Sequence, residues 1–115
     1  MKLKRFVQAE GVFREVLALK EKTAPDKWGR FYVQNSLGAA LTGEKKYAEA
    51  EPLLVSGYEG VKQRESQLNP DTKKHLAEAG DGVVAMYQAW GKPEKAAEWR
   101  AKLGARGGET PATKK

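Results

Sequence analysis

One helical segment occurs three times along this 115-residue chain, and that recurrence limits the fold more than any other feature. Lys45 to Leu54 reads Lys-Lys-Tyr-Ala-Glu-Ala-Glu-Pro-Leu-Leu, with imperfect copies at Arg5 to Phe13 and Lys92 to Arg100. Registered on a shared small residue, the copies fall at Ala9, Ala50 and Ala96, offset by 41 residues (9 to 50) and 46 residues (50 to 96). Periods of this length belong to arrays of paired helices. A helix with one apolar stripe cannot bury it alone, so each copy requires neighbours on both sides.

The stripes between the copies supply those neighbours. Residues 2 to about 22 place Leu3, Phe6, Ala9, Phe13, Val16 and Leu17 on one helical face, and Pro25 ends the pattern. A second helix is expected over Trp28–Thr42, with Phe31, Gln34, Leu37, Gly38 and Leu41 along one side. Glycine inside a helix costs about 1 kcal/mol relative to alanine, so Gly38 on this face predicts a closely approaching backbone. The short turn after Gly43 predicts an antiparallel third helix, about 46–67, with Tyr47, Ala50, Leu53, Leu54, Gly57, Tyr58 and Val61 inside. Pro52 falls near its first turn, with a bend there as the alternative. Asn69 and Pro70 read as the cap and first position of a fourth helix, about 70–90, carrying Leu76, Ala79, Val83, Met86, Tyr87 and Trp90. A fifth follows Gly91-Lys92-Pro93 and runs to about Leu103 with Ala96, Ala97, Trp99 and Leu103. From Gly104 no apolar face remains, and a disordered tail is expected. The expectation is an all-α antiparallel helix-pair array of about five helices: a half repeat over 1–24, repeats over 25–68 and 69–103, and a tail over 104–115.

Chemistry is largely excluded. With no cysteine, thiol, disulfide and zinc-thiolate sites are ruled out. His75 is the only histidine and has no partner at ligand spacing, so it reads as a helix-face residue rather than a base or metal ligand. Glu49, Glu51 and Glu59 read as solvated carboxylates, and the glycines of 104–108 follow no strand and open no helix. No catalytic, cofactor or metal site is expected, and the chain is read as non-enzymatic. No apolar run approaches the roughly 20 residues of a membrane helix, so no membrane insertion by this segment is expected. The net charge of +6 raises the question of an anionic partner. Yet the charges are interleaved, as in Glu44-Lys45-Lys46, and read as solvated helix faces. Trp28, Trp90 and Trp99 lie in apolar stripes and read as core rather than as base-stacking platforms.

The spacing Leu37-Gly38, Leu41, Tyr47, Ala50, Leu54 recurs as Val83-Val84, Tyr87, Pro93, Ala96, Arg100. It resembles the tetratricopeptide repeat, in a long-helix variant similar to the kinesin-light-chain type. Three departures stand out. Gln34 replaces the usual tryptophan, Gly57 and Leu103 replace the late alanine, and the period exceeds the usual 34 or so. The stretches Ser36–Leu41, Lys45–Leu54, Gly57–Gly60 and Tyr87–Arg100 are also similar to the carboxy-terminal repeats of certain bacterial serine/threonine protein kinases. None of the kinase motifs is in this chain, so the resemblance implies a kinase domain upstream, if there is one. The first helix resembles the second member of a pair, which gives the expectation of a fragment or of a start codon assigned late. Cytoplasmic placement is the default, with an extracytoplasmic one if the segment is the tail of a membrane-spanning kinase.

The family resemblance implies a protein-interaction module with a peptide or protein partner and a concave face built from the first helix of each pair. That face aligns Tyr32, Asn35, Ala39 and Thr42 with Glu78, Asp81, Ala85 and Gln88. Asn35 and Gln88 are expected to hydrogen-bond a peptide backbone, and Tyr32 to supply contact area. The family's carboxylate clamp needs lysine and asparagine at such positions and is absent, which disfavours a chaperone-tail adaptor. Two alternatives from other classes are nucleic-acid binding through the basic surface and a structural segment that self-associates through the first helix.

Overall fold

Each apolar stripe is covered by the next helix in the chain. The computed structural model describes residues 2–106, and all regular structure among them is helical. The elements are α1 (Lys2–Thr23), α2 (Trp28–Gly43), α3 (Tyr47–Gln63), α4 (Lys74–Ala89) and α5 (Pro93–Arg106), with a single 3₁₀ turn at Glu65–Gln67. Consecutive helices run antiparallel: Phe6 of α1 lies at Gly43 and Lys20 at Gly29, while Gly38 of α2 meets Ala50 and Leu54 of α3. In α3 and α4, Glu51 reaches Tyr87 and Tyr58 approaches Gly80. Alternate helices run parallel. Tyr32 of α2 bonds Glu78 of α4, 46 residues on, and Tyr58 of α3 meets Trp99 of α5 edge to face at 5.5 Å. The result is an all-α antiparallel helix-pair array.

Leu37, Leu41, Ala50, Leu54, Tyr58, Val61, Val83, Met86 and Ala96 form its continuous core. The three tryptophans pack against that core. The close approach expected at Gly38 is present: a β-carbon there would sit 3.0 Å from the Leu54 nitrogen and 3.2 Å from the Ala50 oxygen. Gly57 is tighter, since its β-carbon would lie 2.7 Å from both the Asn35 nitrogen and the Phe31 oxygen. Two glycines, one on each helix, therefore set the distance between α2 and α3.

The turns within the two helix pairs share one backbone pattern. Lys46 N–H donates to Leu41 O at 2.9 Å, and Lys92 N–H donates to Tyr87 O at 2.8 Å. This is the six-to-one bond of a Schellman ending, which needs a left-handed residue just before the donor. Gly91 supplies it in the second turn with φ 81°, but Lys45 occupies it in the first with φ 67°.

Several boundaries differ from the sequence expectation. α3 ends at Gln63 rather than continuing to 67, and the 3₁₀ turn follows. α4 starts at Lys74, because Asn69 caps a tight turn instead of a helix: its Oδ1 accepts from Thr72 N–H at 2.9 Å. Pro52 lies inside α3, past its first turn, on the exposed side of the helix. Residues 104–106, expected in the tail, complete α5; the rest of that expectation, 107–115, lies outside the described residues.

Three substitutions test this packing in urea denaturation. Gly57→Ala is expected to lose about 1–3 kcal/mol, because fixed backbone atoms meet the new methyl group. Gly11, mid-way along α1 with nothing within 4 Å, is expected to gain about 1 kcal/mol as Gly11→Ala. A Gly57→Ala protein as stable as the parent would show that the helices are not in that contact. Lys45→Gly is expected to gain up to about 1 kcal/mol by relieving the left-handed backbone; a loss there would mean that the lysine side chain contributes to the turn.

Candidate peptide-binding groove

A groove of about 320 Å³ opens between α1, α2 and α4. Phe6, Ala9 and Phe13 of α1 form one wall, and Glu78 and Gly82 of α4 form the other. The floor belongs to α2, with Tyr32, Asn35, Ser36, Ala39 and Ala40. Helical periodicity explains the set. Residues 32, 36 and 39 follow one stripe of α2, and 6, 9 and 13 follow one stripe of α1.

The polar groups here are mostly engaged with the protein. Asn35 is 5% exposed, and its Nδ2 donates to Leu54 O at 3.0 Å and to Ala79 O at 3.2 Å. Ser36 Oγ donates to Tyr32 O at 3.0 Å. Tyr32 hydroxyl donates to Glu78 Oε1 at 3.2 Å, and His75 Nδ1 lies 3.1 Å from the same oxygen. The His75 ring also packs on Trp28 and Tyr32, with centroids 5.7 and 4.5 Å away. The hydrogen bond from His75 holds the Glu78 carboxyl below its usual range, and burial pushes the Tyr32 hydroxyl up. Glu78 is thus a fixed carboxylate at the groove wall.

The α1 wall is anchored where it meets the turn after α2. Arg14 Nε donates to Glu10 Oε2 at 2.7 Å, and Lys46 Nζ lies 3.2 Å from Glu44 Oε1. Between these cations the Glu10 and Glu44 carboxyls are in hydrogen-bonding reach of each other, and the Glu44 side chain is only 4% exposed. Burial pushes Glu44 up, while the hydrogen bond with Glu44 and then Arg14 pull Glu10 down. Each carboxylate opposes the other's ionisation, and the cost falls on the more buried Glu44.

Of the residues that the sequence placed on the concave face, Tyr32, Asn35 and Glu78 meet at this groove, and Ala39 is exposed within it. Thr42 instead donates to Gly38 O within its own helix at 2.9 Å. Asp81 and Gln88 are exposed on α4 and do not line the groove. Asn35 cannot donate to a peptide, since both of its amide hydrogens are committed to Leu54 and Ala79. Sequence reasoning missed Phe6, Ala9 and Phe13 as groove residues, although their spacing on one face of α1 was visible. It also passed over Ser36 and Gly82.

Elsewhere, Lys92 Nζ lies 3.9 Å from the Trp90 ring centre and Lys102 Nζ 4.3 Å from that of Trp99. These lysines occupy ring faces that a stacked base would need. Leu3, Val7, Val12 and Leu19, all on α1, are each more than half exposed. Among the described residues, no cluster of His, Cys, Asp or Glu is arranged to hold a metal, and no helix is long and apolar enough to cross a membrane. No family model, curated protein or solved structure matches the chain.

These opposite shifts give a pH dependence. Glu44, raised, contributes to stability while protonated; that contribution is whole below the ordinary carboxylate range and is lost as pH rises through its raised value. Glu10, lowered, contributes above that range and loses its share as pH falls. Glu44→Gln keeps a polar group without the second charge. It is expected to melt above the parent near pH ~7, with the gap narrowing towards pH ~4. A gap that widens on acidification in thermal melts would contradict the raised Glu44 carboxyl.

Proposed function

We propose that this chain is a non-enzymatic protein-interaction module of tetratricopeptide type that takes a peptide segment into the groove between α1, α2 and α4. The observation that carries this reading is the groove itself: a mainly apolar depression with a few fixed polar groups, about 320 Å³ in volume. Such a lining suits side chains of a peptide, with affinity from apolar area and orientation from the polar groups. Parallel α2 and α4 with matched turns 46 residues apart support the tetratricopeptide reading, in which first helices carry the ligand. Nucleic-acid binding is the weaker reading, because the tryptophan faces nearest to basic residues are taken by the chain's own lysines.

The test is to pan a displayed library of random peptides against the whole chain, then measure recovered peptides by fluorescence anisotropy on the parent and on Ala39→Arg. Ala39 is exposed on the groove floor, so the arginine fills the channel without entering the core. The expected loss is about tenfold or more in affinity, with the circular dichroism unchanged. If no peptide is recovered, or if the recovered peptides bind the variant as well as the parent, the groove is not the binding site.

A further inference from the structure

The hydrogen-bonding balance of the groove is one-sided. Every side-chain donor in it is spent inside the protein: both hydrogens of Asn35 Nδ2, the Ser36 hydroxyl and the Tyr32 hydroxyl. What remains are acceptors. Asn35 Oδ1 has no partner among the described residues and lies beside Gly82, 3.7 Å from where a β-carbon there would be. Glu78 directs Oε1 to Tyr32 and His75, which leaves Oε2 without a partner among the described residues. Asp81, exposed one turn along the same helix, lies outside the lining. Lys74, on that helix too, acts on Glu78 only through space. A largely apolar lining whose one charge is negative and whose free polar atoms are acceptors runs against the net charge of +6 that the chain as a whole carries.

We infer that the ligand of this groove presents a cation, a lysine ammonium or an arginine guanidinium, next to an apolar side chain. The inference rests on the groove being the binding site. The apolar side chain fits against Phe6, Phe13 and Ala39, and the cation donates to Glu78 Oε2 and Asn35 Oδ1. A carboxylate or phosphate would meet acceptors with no donor to balance them, so the same lining rejects acidic peptides. Charged hydrogen bonds of this kind carry most of their selectivity when one partner is sheltered, as Asn35 is.

The experiment uses the full chain labelled with nitrogen-15 and three matched probes: Nα-acetyl-leucyl-arginine amide and its glutamine and glutamate counterparts. The arginine probe is expected to shift the amide signals of Ser36, Ala39 and Gly82 and to bind roughly fivefold or more tightly than the glutamine probe. Glu78→Gln, which still accepts from Tyr32, is expected to remove most of that difference. If the glutamine or glutamate probe shifts the same amides with equal or greater affinity, the cation assignment is overturned while the groove stands. If no probe shifts those amides, the groove reading falls and the assignment falls with it.

Discussion

Asn35 holds three helices together through one side chain. Its amide joins α2 to the Leu54 carbonyl of α3 and the Ala79 carbonyl of α4, and it does so at 5% exposure. Each carbonyl has a second lone pair beyond its helical bond, so these contacts add to the helices rather than compete with them. Buried donors left without such partners cost about 1–3 kcal/mol each, which fixes the rotation of α2 about its axis. Once that rotation is set, Tyr32 must face Glu78 and Ala39 must face the groove. The arrangement depends on Gly57, because a side chain there would displace the α2 backbone at Asn35 itself.

The groove is therefore a consequence of how the core is locked, with α1 added as a wall. That wall is held differently. Phe6 lies at Gly43 of α2, and Phe13 and Leu17 pack against the core, but the polar link at its side is the Glu10–Glu44 pair between Arg14 and Lys46. Electrostatic links of this kind respond to pH and salt, whereas the glycine contacts of α2 and α3 do not. The two walls of one groove thus differ in what can disturb them. The α4 wall is tied in by Asn35 and by the Tyr87–Glu51 bond at 2.7 Å, where burial and then Glu51 push the tyrosine up to about 12.

Much of this was legible in the sequence, for reasons that can be named. The stripes of α2, α3 and α4 follow the helical period, so the buried positions Leu37, Leu41, Ala50, Leu54, Val83 and Met86 could be read directly. Gly38 signalled its close contact because nothing else justifies glycine on an apolar face. Tyr32 and Glu78 aligned because the offset of 46 residues between the second and third copies carries α2 onto α4. Other features depend on information that a linear pattern does not hold. Which way the Asn35 amide points is decided by two carbonyls 19 and 44 residues away. Phe6 and Phe13 look the same in sequence whether they fill a core or line a groove. The Asn69-Pro70 pair suits a helix start, and only the bonds between Asn69 and Thr72 turn it into a separate turn.

The two helix pairs solve one steric problem in opposite ways. At the crossing beside Asn35, α2–α3 places the gap on the second helix, at Gly57, and the backbone of Phe31 and Asn35 fills it. In α4–α5 the gap is on the first helix, at Gly80, and Leu103 fills it from the second. A helix from one pair cannot substitute for its counterpart in the other: α5 laid against α2 would drive Leu103 into the main chain at Asn35, and α3 against α4 would leave a void at Gly80. Volume alone thus tells α3 from α5, which guards a repetitive chain against exchange between its own units.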